Sequence, residues 1–572
     1  MSRRRRQHPV ALLAVALLVA SACSPGPGPT VPPSARVASP SPVAPASASG
    51  VPFTPAAWPA SGSACGRPGY AGLLGRIATL DARTIRFSLC APDGLFPVRL
   101  ADPALGVLET AAIARLAADP ATGRSLAGTG PYRIERWDAG GEAILARASD
   151  PSGISTIPTV VLRWADGAAE RTRQLEAATV DGIDAPDPAS LDAIATQPEL
   201  ALVSRPGLAL AYLAFGAGRP FDDVRVRRAI AGSLDRAALV AAAFPPGSTV
   251  PTHVAPCVIP AACSGAAWYP FNGPAAQAAL QDAGVDLKAT WPLHVPDAPE
   301  PGLPDPLGVA QAVAAQLQGS VGLATSIDVM PRADFDSAVA AGTLDGLYLD
   351  GLTGTIPDAA AFLAPLVGPG TTSTPAARAT GAGDAVASAL AEPDPATRAA
   401  AIAPLNDLLR SLAPIVPLAN AGTLAAFRAD VTGVVVSPIG IDPLGAFTPG
   451  DRRQVVFMGA SAPDGAYCGD QDTQDARRLC GLLTEGLYGF TPGGLAVEPR
   501  LAQWCTTGDG ATTWTCRLRA GITFSDGVAL DAGDVMATFV AQWDRSQPLR
   551  QARPDAAFAA WDDLFGGTLG GG

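Results

Sequence analysis

Apolar and polar positions alternate with period two in "TWTCRL" (513–518). Trp514, Cys516 and Leu518 fall on one side and Thr513, Thr515 and Arg517 on the other, the signature of a half-buried strand. The turn "GDG" (508–510) precedes it, which lets Trp504–Cys505 run antiparallel beside it. Further on the period lengthens to that of a helix. Val535, Phe539, Val540 and Trp543 form one apolar stripe after Asp531, an N-cap with Asp534 at the capping-box position; the stripe reads as core packing. Helical spacing recurs at 222–244, through Val226, Ile230, Leu234 and Val240. It recurs at 272–285, with Asn272 or Gly273 as cap, Pro274 in the first turn and Gly284 as stop. A third helix, 394–414, starts at Asp394-Pro395 and should be kinked or split by Pro404. Strand-like runs at 84–89, 159–164 and 431–438 separate the helices, and such alternation predicts α/β lobes.

A chain of 572 residues exceeds a single core, so two or three domains are expected. The net charge of −12 sets an acidic surface against phosphate backbones and excludes nucleic acid as a partner. Residues 1–22 read as an export signal: basic "MSRRRR", then "VALLAVALLVA", an apolar run too short to span a bilayer as a mature helix. The following "ASAC" resembles the lipobox of bacterial lipoproteins, in which the cysteine, here Cys23, is acylated. Ala20 stands where leucine is more usual, and an ordinary secretory signal cut near Ala22 is the alternative. Residues 23–62 are rich in Pro, Ala and Ser and read as an extended tether.

Nine cysteines less Cys23 leave four close pairs: Cys65/Cys90, Cys257/Cys263, Cys468/Cys480 and Cys505/Cys516. In an exported chain these are read as disulfides. No C-x-x-C occurs, and beyond the leader the histidines are His253 and His294, so neither a metal centre nor a cofactor is predicted. Motifs for a hydrolase triad, a zinc protease, a P-loop or a dinucleotide site are missing from the sequence, which argues against an enzyme.

Several blocks together resemble the family 5 extracellular solute-binding proteins, the dipeptide-, oligopeptide- and nickel-binding components of ABC importers. They are "GTGPYRIERWDAG" (128–140), "LAYLAFGAGRPFDDVRVRRAIAGSLDRAALV" (208–240), "YPFNGPAAQAALQDAGV" (269–285), "RSLAPIVPLANAG" with "VTGVVVSPIG" (410–440), and "TEGLYGF" through "LRAGITFSDGVALDAGDV" (484–535). The resemblance implies an α/β, two-lobed periplasmic-binding-protein-like fold, class II, with an extra subdomain in lobe I. Lobe I would comprise 63–225 and 421–572, the latter resembling the family's N-terminal region, and lobe II 226–420. In the family the "LRxGxxFSDG" block precedes the strand "TIRFSL", which precedes "GTGPY". Here that block follows both, so the chain resembles a circular permutant joined through 440–459. Two truncated tandem copies are the competing account, and a reciprocal swap between chains is a further variant.

By resemblance the protein captures a peptide or peptide-like solute between its lobes and delivers it to an ABC permease and ATPase complex. It would act as a monomer, lipid-anchored to the outer face of the cell membrane. A ligand-binding lipoprotein used for sensing or scaffolding is the alternative; a secreted hydrolase ranks below it. In peptide-binding members an aspartate in the segment matching "LYLDGLTGTIPDAAAFL" (347–363) pairs with the ligand's ammonium. Alignment on Pro357 places Thr353 there, with Asp350 three residues earlier. Thr353 cannot supply that charge, which counts against unmodified peptides. Tyr212, Phe215, Tyr348, Asp350, Thr353, Glu485 and Tyr488 are the candidates for the cleft, with core packing as the alternative role of the aromatic ones.

Overall fold

Strand Thr513–Leu518 finds its partners at the far end of the sequence. It lies between Ala502–Gly508 and Thr84–Leu89 in a five-stranded antiparallel sheet ordered Ala57–Trp58, Leu74–Asp81, Thr84–Leu89, Thr513–Leu518, Ala502–Gly508. Trp514, Cys516 and Leu518 are buried, as the period-two pattern requires, and Cys505 stands directly opposite Cys516. The computed structural model describes residues 53–570 apart from 139–140, 149–152, 154 and 368–381. The export signal, Cys23 and most of the tether therefore lie outside the described residues. Disulfides join Cys65–Cys90, Cys257–Cys263, Cys468–Cys480 and Cys505–Cys516.

The second sheet has ten strands and holds the molecule together. Its order is Ala324–Met330, Thr290–Pro296, Leu347–Thr353, Leu200–Phe215, Ile415–Arg428, Gly182–Asp184, Gln454–Gly459, Thr159–Trp164, Glu142–Arg147, Tyr132–Asp138. At its centre two long antiparallel strands pair from Ile415↔Ala214 to Arg428↔Leu200, with register shifts at Pro417/Ala419 and Ala421/Thr423. At one end of this pair Leu213 and Phe215 enter a core with helices Val224–Ser233, Gly273–Asp282 and Pro306–Val321, while Leu210 and Tyr212 enter another with Ala359–Val367 and Pro395–Leu412. At the other end Ala425 and Phe427 enter a third core, shared by residues 64–162 and 431–569. Two lobes thus hang on one pair of strands that crosses between them.

The third core is built from both ends of the described chain. Phe87, Phe96, Phe539 and Phe565 interlock with ring centroids 5.1–6.4 Å apart. Leu73 N donates to Phe565 O at 2.7 Å, and Trp543 Nε1 donates to Tyr70 Oη at 3.0 Å. Helix Ala532–Trp543 opens with the reciprocal Asp531/Asp534 capping box, and Asp534 also accepts from Thr110 N at 2.9 Å. Between the long strand and Gln454–Gly459, the segment runs through Val431–Thr432, a short turn Leu444–Ala446 and Thr448–Pro449, which pairs back on Val431–Thr432.

Three sequence expectations need correction or narrowing. The helix expected over 222–244 is two, Val224–Ser233 and Arg236–Ala243, because buried Leu234 is extended and Asp235 caps a new start by accepting from Ala238 N at 3.1 Å. Of the two outcomes expected at Pro404, a split does not occur: Pro395–Leu412 is one helix, with Pro404 and Ala400 both on its exposed face, where a carbonyl without a helix partner costs little. The run 431–438 pairs as a strand over Val431–Thr432 and no further: Gly433, at φ +70°, turns the chain away, and Asp442 captures Ser437 N at 2.7 Å.

Candidate functional site

Where the two long strands cross between lobes, they form the floor of a cleft of about 660 Å³ that is open to solvent. The floor is Arg205–Ala209 from one strand and Ala421–Thr423 from the other, at the second register shift. One wall belongs to lobe I: Asp102 before the turn Pro103–Leu105, Asp472, Gln474 and Arg477 around the start of helix Gln474–Leu483, and Asp563 in helix Ala559–Phe565. The opposite wall, from lobe II, is Thr353–Thr355 at the end of strand Leu347–Thr353, with Pro301.

A buried ion network fixes the floor. Arg205, 3% exposed, donates to Asp442 Oδ1 and Ser437 O at 2.7 Å and to Asp184 Oδ1 at 2.8 Å. Arg478 bonds Asp442 Oδ2 at 2.9 Å and also reaches Asp184 and Asp475. Burial alone would raise the Asp442 carboxyl, but the two guanidiniums outweigh it and hold the group below the ordinary range. For Asp475 burial wins over Arg478, and its carboxyl is raised. The network ties the strands bearing Asp184 and Arg205 to the loop at Asp442 and the helix at Arg478. Arg477 is engaged as well, donating to Ile439 O at 3.0 Å and Asp102 Oδ2 at 2.8 Å.

The seven candidates divide into four groups. Thr353 lines the cleft. Tyr212 and Asp350 face each other across adjacent strands and lie behind the wall: Tyr212 Oη donates to Asp350 Oδ2 at 2.9 Å, and Gly351 N donates to Oδ1 at 2.9 Å. Burial, then the charge of Glu300, pushes the Asp350 carboxyl up to about 7. Tyr348 packs on Phe335 at 6.2 Å, and Phe215 on Phe221 at 6.1 Å, both inside lobe II cores. Glu485 and Tyr488 line a separate, smaller cavity of about 120 Å³ in lobe I, with Arg500 and Phe490. Sequence reasoning missed Arg205, Asp472, Arg477 and Asp563. Only Arg205 carried a local signal, as a lone charge inside an otherwise apolar strand. His253 lies beside Cys257 and Cys263, but sulfurs joined in a disulfide are not thiolate ligands.

A two-lobed α/β molecule with an open cleft at its strand crossing has the architecture on which solute-binding proteins are built. The family model for bacterial extracellular solute-binding proteins, family 5, middle region, matches residues 49–374, and the chain belongs to that family. It is 26% identical over 373 residues to the peptide transport periplasmic protein SapA of Salmonella typhimurium, covering 64% of this chain and 67% of that protein. It is 27% identical over 380 residues to heme-binding protein A of Haemophilus influenzae, covering 65% and 69%. Among solved structures, HbpA2 from Haemophilus parasuis shares the fold with a TM-score of 0.58 at 23% identity, covering 66% of this chain and 75% of that one.

Proposed function

We propose that the protein is the lipid-anchored substrate-binding component of an ABC importer, taking a peptide or peptide-like solute between its lobes. The observation that carries this is the cleft of about 660 Å³ astride a two-strand crossing, the place where lobes of this kind close on a ligand. Cys23 after "ASAC" supplies the anchor, and the Pro/Ala/Ser-rich stretch 24–52 the slack that lets the lobes turn beside a permease, the rest of the expected tether being packed on lobe I through strand Ala57–Trp58. On this reading lobe II starts near the crossing at Arg205–Ala209, a boundary that the packing of Leu213, Phe215 and Phe221 in one core with the helices of that lobe supports. The permuted order is part of the reading, supported by the pairing of Thr513–Leu518 with Thr84–Leu89.

Native mass spectrometry of gently purified protein, with small-angle scattering before and after ligand removal, tests the binding role. The expected result is a retained small solute whose loss widens the molecule. Protein that retains nothing and takes up nothing from a peptide mixture or cell extract would end the reading. Cys23→Ala should release the folded protein from membranes, and continued membrane retention would refute the anchor.

A further inference from the structure

The five-stranded sheet of lobe I is covered on one face only. Ile77, Ile85, Phe87, Trp514 and Cys516 point into the lobe I core. The other face meets solvent: none of its side chains is buried, and none lines the cleft. The two-residue period puts Arg76, Arg86 and Arg517 on that face, one on each of three adjacent strands, with serine and threonine between them. Trp504, 42% exposed, stands directly opposite Arg517 on the edge strand, and Leu80, 40% exposed, lies beside Asp81 at the same end.

The charge here runs against that of the molecule. The chain carries a net charge of −12, yet from Phe53 to Cys90 it holds four arginines, Arg67, Arg76, Arg83 and Arg86, and one acid, Asp81. Asp81 is taken by Arg517 at 2.9 Å, and the other acid at this face, Asp509, sits in the turn at the far corner. Among the described residues none of the four arginines is in an ion pair. Arg67, Arg76 and Arg86 donate to neutral oxygens, those of Ser63, Gly62 and Thr515. Unpaired guanidiniums gathered on one face repel one another, and an anionic surface relieves that repulsion.

The chain also brings this sheet to such a surface. Its outermost strand, Ala57–Trp58, pairs with Leu74–Asp81 and is the first strand after Cys23 among the described residues. Residues 24–52 can span at most about 100 Å. A lipid on Cys23 therefore holds this sheet at a high effective concentration of headgroups.

Resting on the lipid-anchor reading above, we propose that the solvent face of this sheet docks on an anionic phospholipid surface, its arginines meeting headgroup phosphates and Trp504 the headgroup boundary, and so sets how the anchored protein stands on the membrane. A few exposed charges screened by salt orient the protein and do not retain it once the lipid is gone.

The test is sedimentation of the exported chain carrying Cys23→Ala, so that no acyl group contributes, with large vesicles. The probes are phosphatidylcholine alone and phosphatidylcholine with about 30% phosphatidylglycerol. At about 20 mM salt the protein should partition about tenfold or more in favour of the anionic vesicles, and about 300 mM salt should abolish the difference. Arg76→Gln/Arg86→Gln/Arg517→Gln should weaken that partition about tenfold or more. Arg86→Glu alone should weaken it several-fold, and it alters a single exposed side chain should the triple variant fail to fold. A control, Arg173→Gln/Arg225→Gln/Arg228→Gln, removes the same charge from two helices outside this sheet and should leave the partition unchanged. Circular dichroism and thermal melting check the fold of each protein. Equal partition onto both vesicles, or anionic partition that survives the sheet substitutions, would overturn the proposal. Retention on immobilised inorganic polyphosphate without partition onto anionic vesicles would overturn it too, and would assign the face to a soluble polyanion. The anchor itself is decided separately, by release of Cys23→Ala from cell membranes at physiological salt, so either reading can fail alone.

Discussion

Asp350 sits where a carboxylate is costly. It is 9% exposed, it accepts from Tyr212 and from the Gly351 amide, and Glu300 crowds it from the loop that carries Pro301 to the cleft. Arg332 neutralises the far side of Glu300 at 2.9 Å and is shared with Asp336 at 2.8 Å. Burial and Glu300 together push the Asp350 carboxyl to about 7, against about 4 in an unfolded chain. Between those values the folded protein binds more protons than the unfolded one, so stability falls as pH rises from about 4 to about 7 and is not regained above that range. Asp350→Asn removes the ionisation. Its stability relative to wild type should therefore improve by on the order of 2–4 kcal/mol between pH 4.5 and 8. Urea unfolding at several pH values measures this, and parallel curves for the two proteins would contradict it. The sequence placed Asp350 among cleft candidates because it lies three residues from Thr353. What it could not supply was the register that sets Asp350 against Tyr212, 138 residues away, and turns a would-be ligand contact into a buried pair.

At the scale of elements, local signals were legible and long-range ones were not. Strands Thr84–Leu89 and Thr159–Trp164 and the capped helix Ala532–Trp543 follow from period and cap chemistry, because their causes lie within a few residues. The cleft floor has no such origin. Arg478 meets Asp184 across 294 residues, and Arg205 meets Asp442 across 237. These contacts join helix Gln474–Leu483 and the loop at Asp442 to the crossing strands, so the network sets where the lobe I wall stands relative to the floor. Arg478→Met leaves Asp184, Asp442 and Asp475 with one guanidinium fewer in a buried site. It should cost about 3–5 kcal/mol, the range for breaking a buried pair on one side. Denaturant unfolding near pH 7 reads the loss, and a cost below about 1 kcal/mol would show that the network does not hold these elements. The same variant should also loosen the Gln474–Leu483 helix to hydrogen exchange, since its anchor to the crossing strands is gone.

For the whole molecule, the question is what the order of segments means when early- and late-coded residues share one core. Residues 451–570 do not form a separate body: their strand Thr513–Leu518 sits inside the sheet beside Thr84–Leu89, and Gln454–Gly459 is hydrogen-bonded to both Thr159–Trp164 and Gly182–Asp184. Independent tandem fragments would not need such interleaving, whereas a permuted single fold requires it. Segments 70–74 and 565–569 lie side by side, through Leu73 N to Phe565 O and a close approach of Gly72 to Gly567. That proximity makes a rearrangement testable. Joining 451–569 directly to 63–449 by a short Gly/Ser linker, and opening the chain between 449 and 451, keeps Cys65 and restores the order that the family resemblance implies. Because the new connection spans neighbouring segments and the new opening falls at the exposed residue Gly450, the product should fold as a monomer with the same disulfides. Its melting temperature should stay within several degrees of the original, a difference of about 1–2 kcal/mol for a protein of this size. A dimer in solution would instead indicate that the shared core is exchanged between chains, and failure of the reordered chain to fold, with intact disulfide oxidation, would refute permutation as the origin of the arrangement.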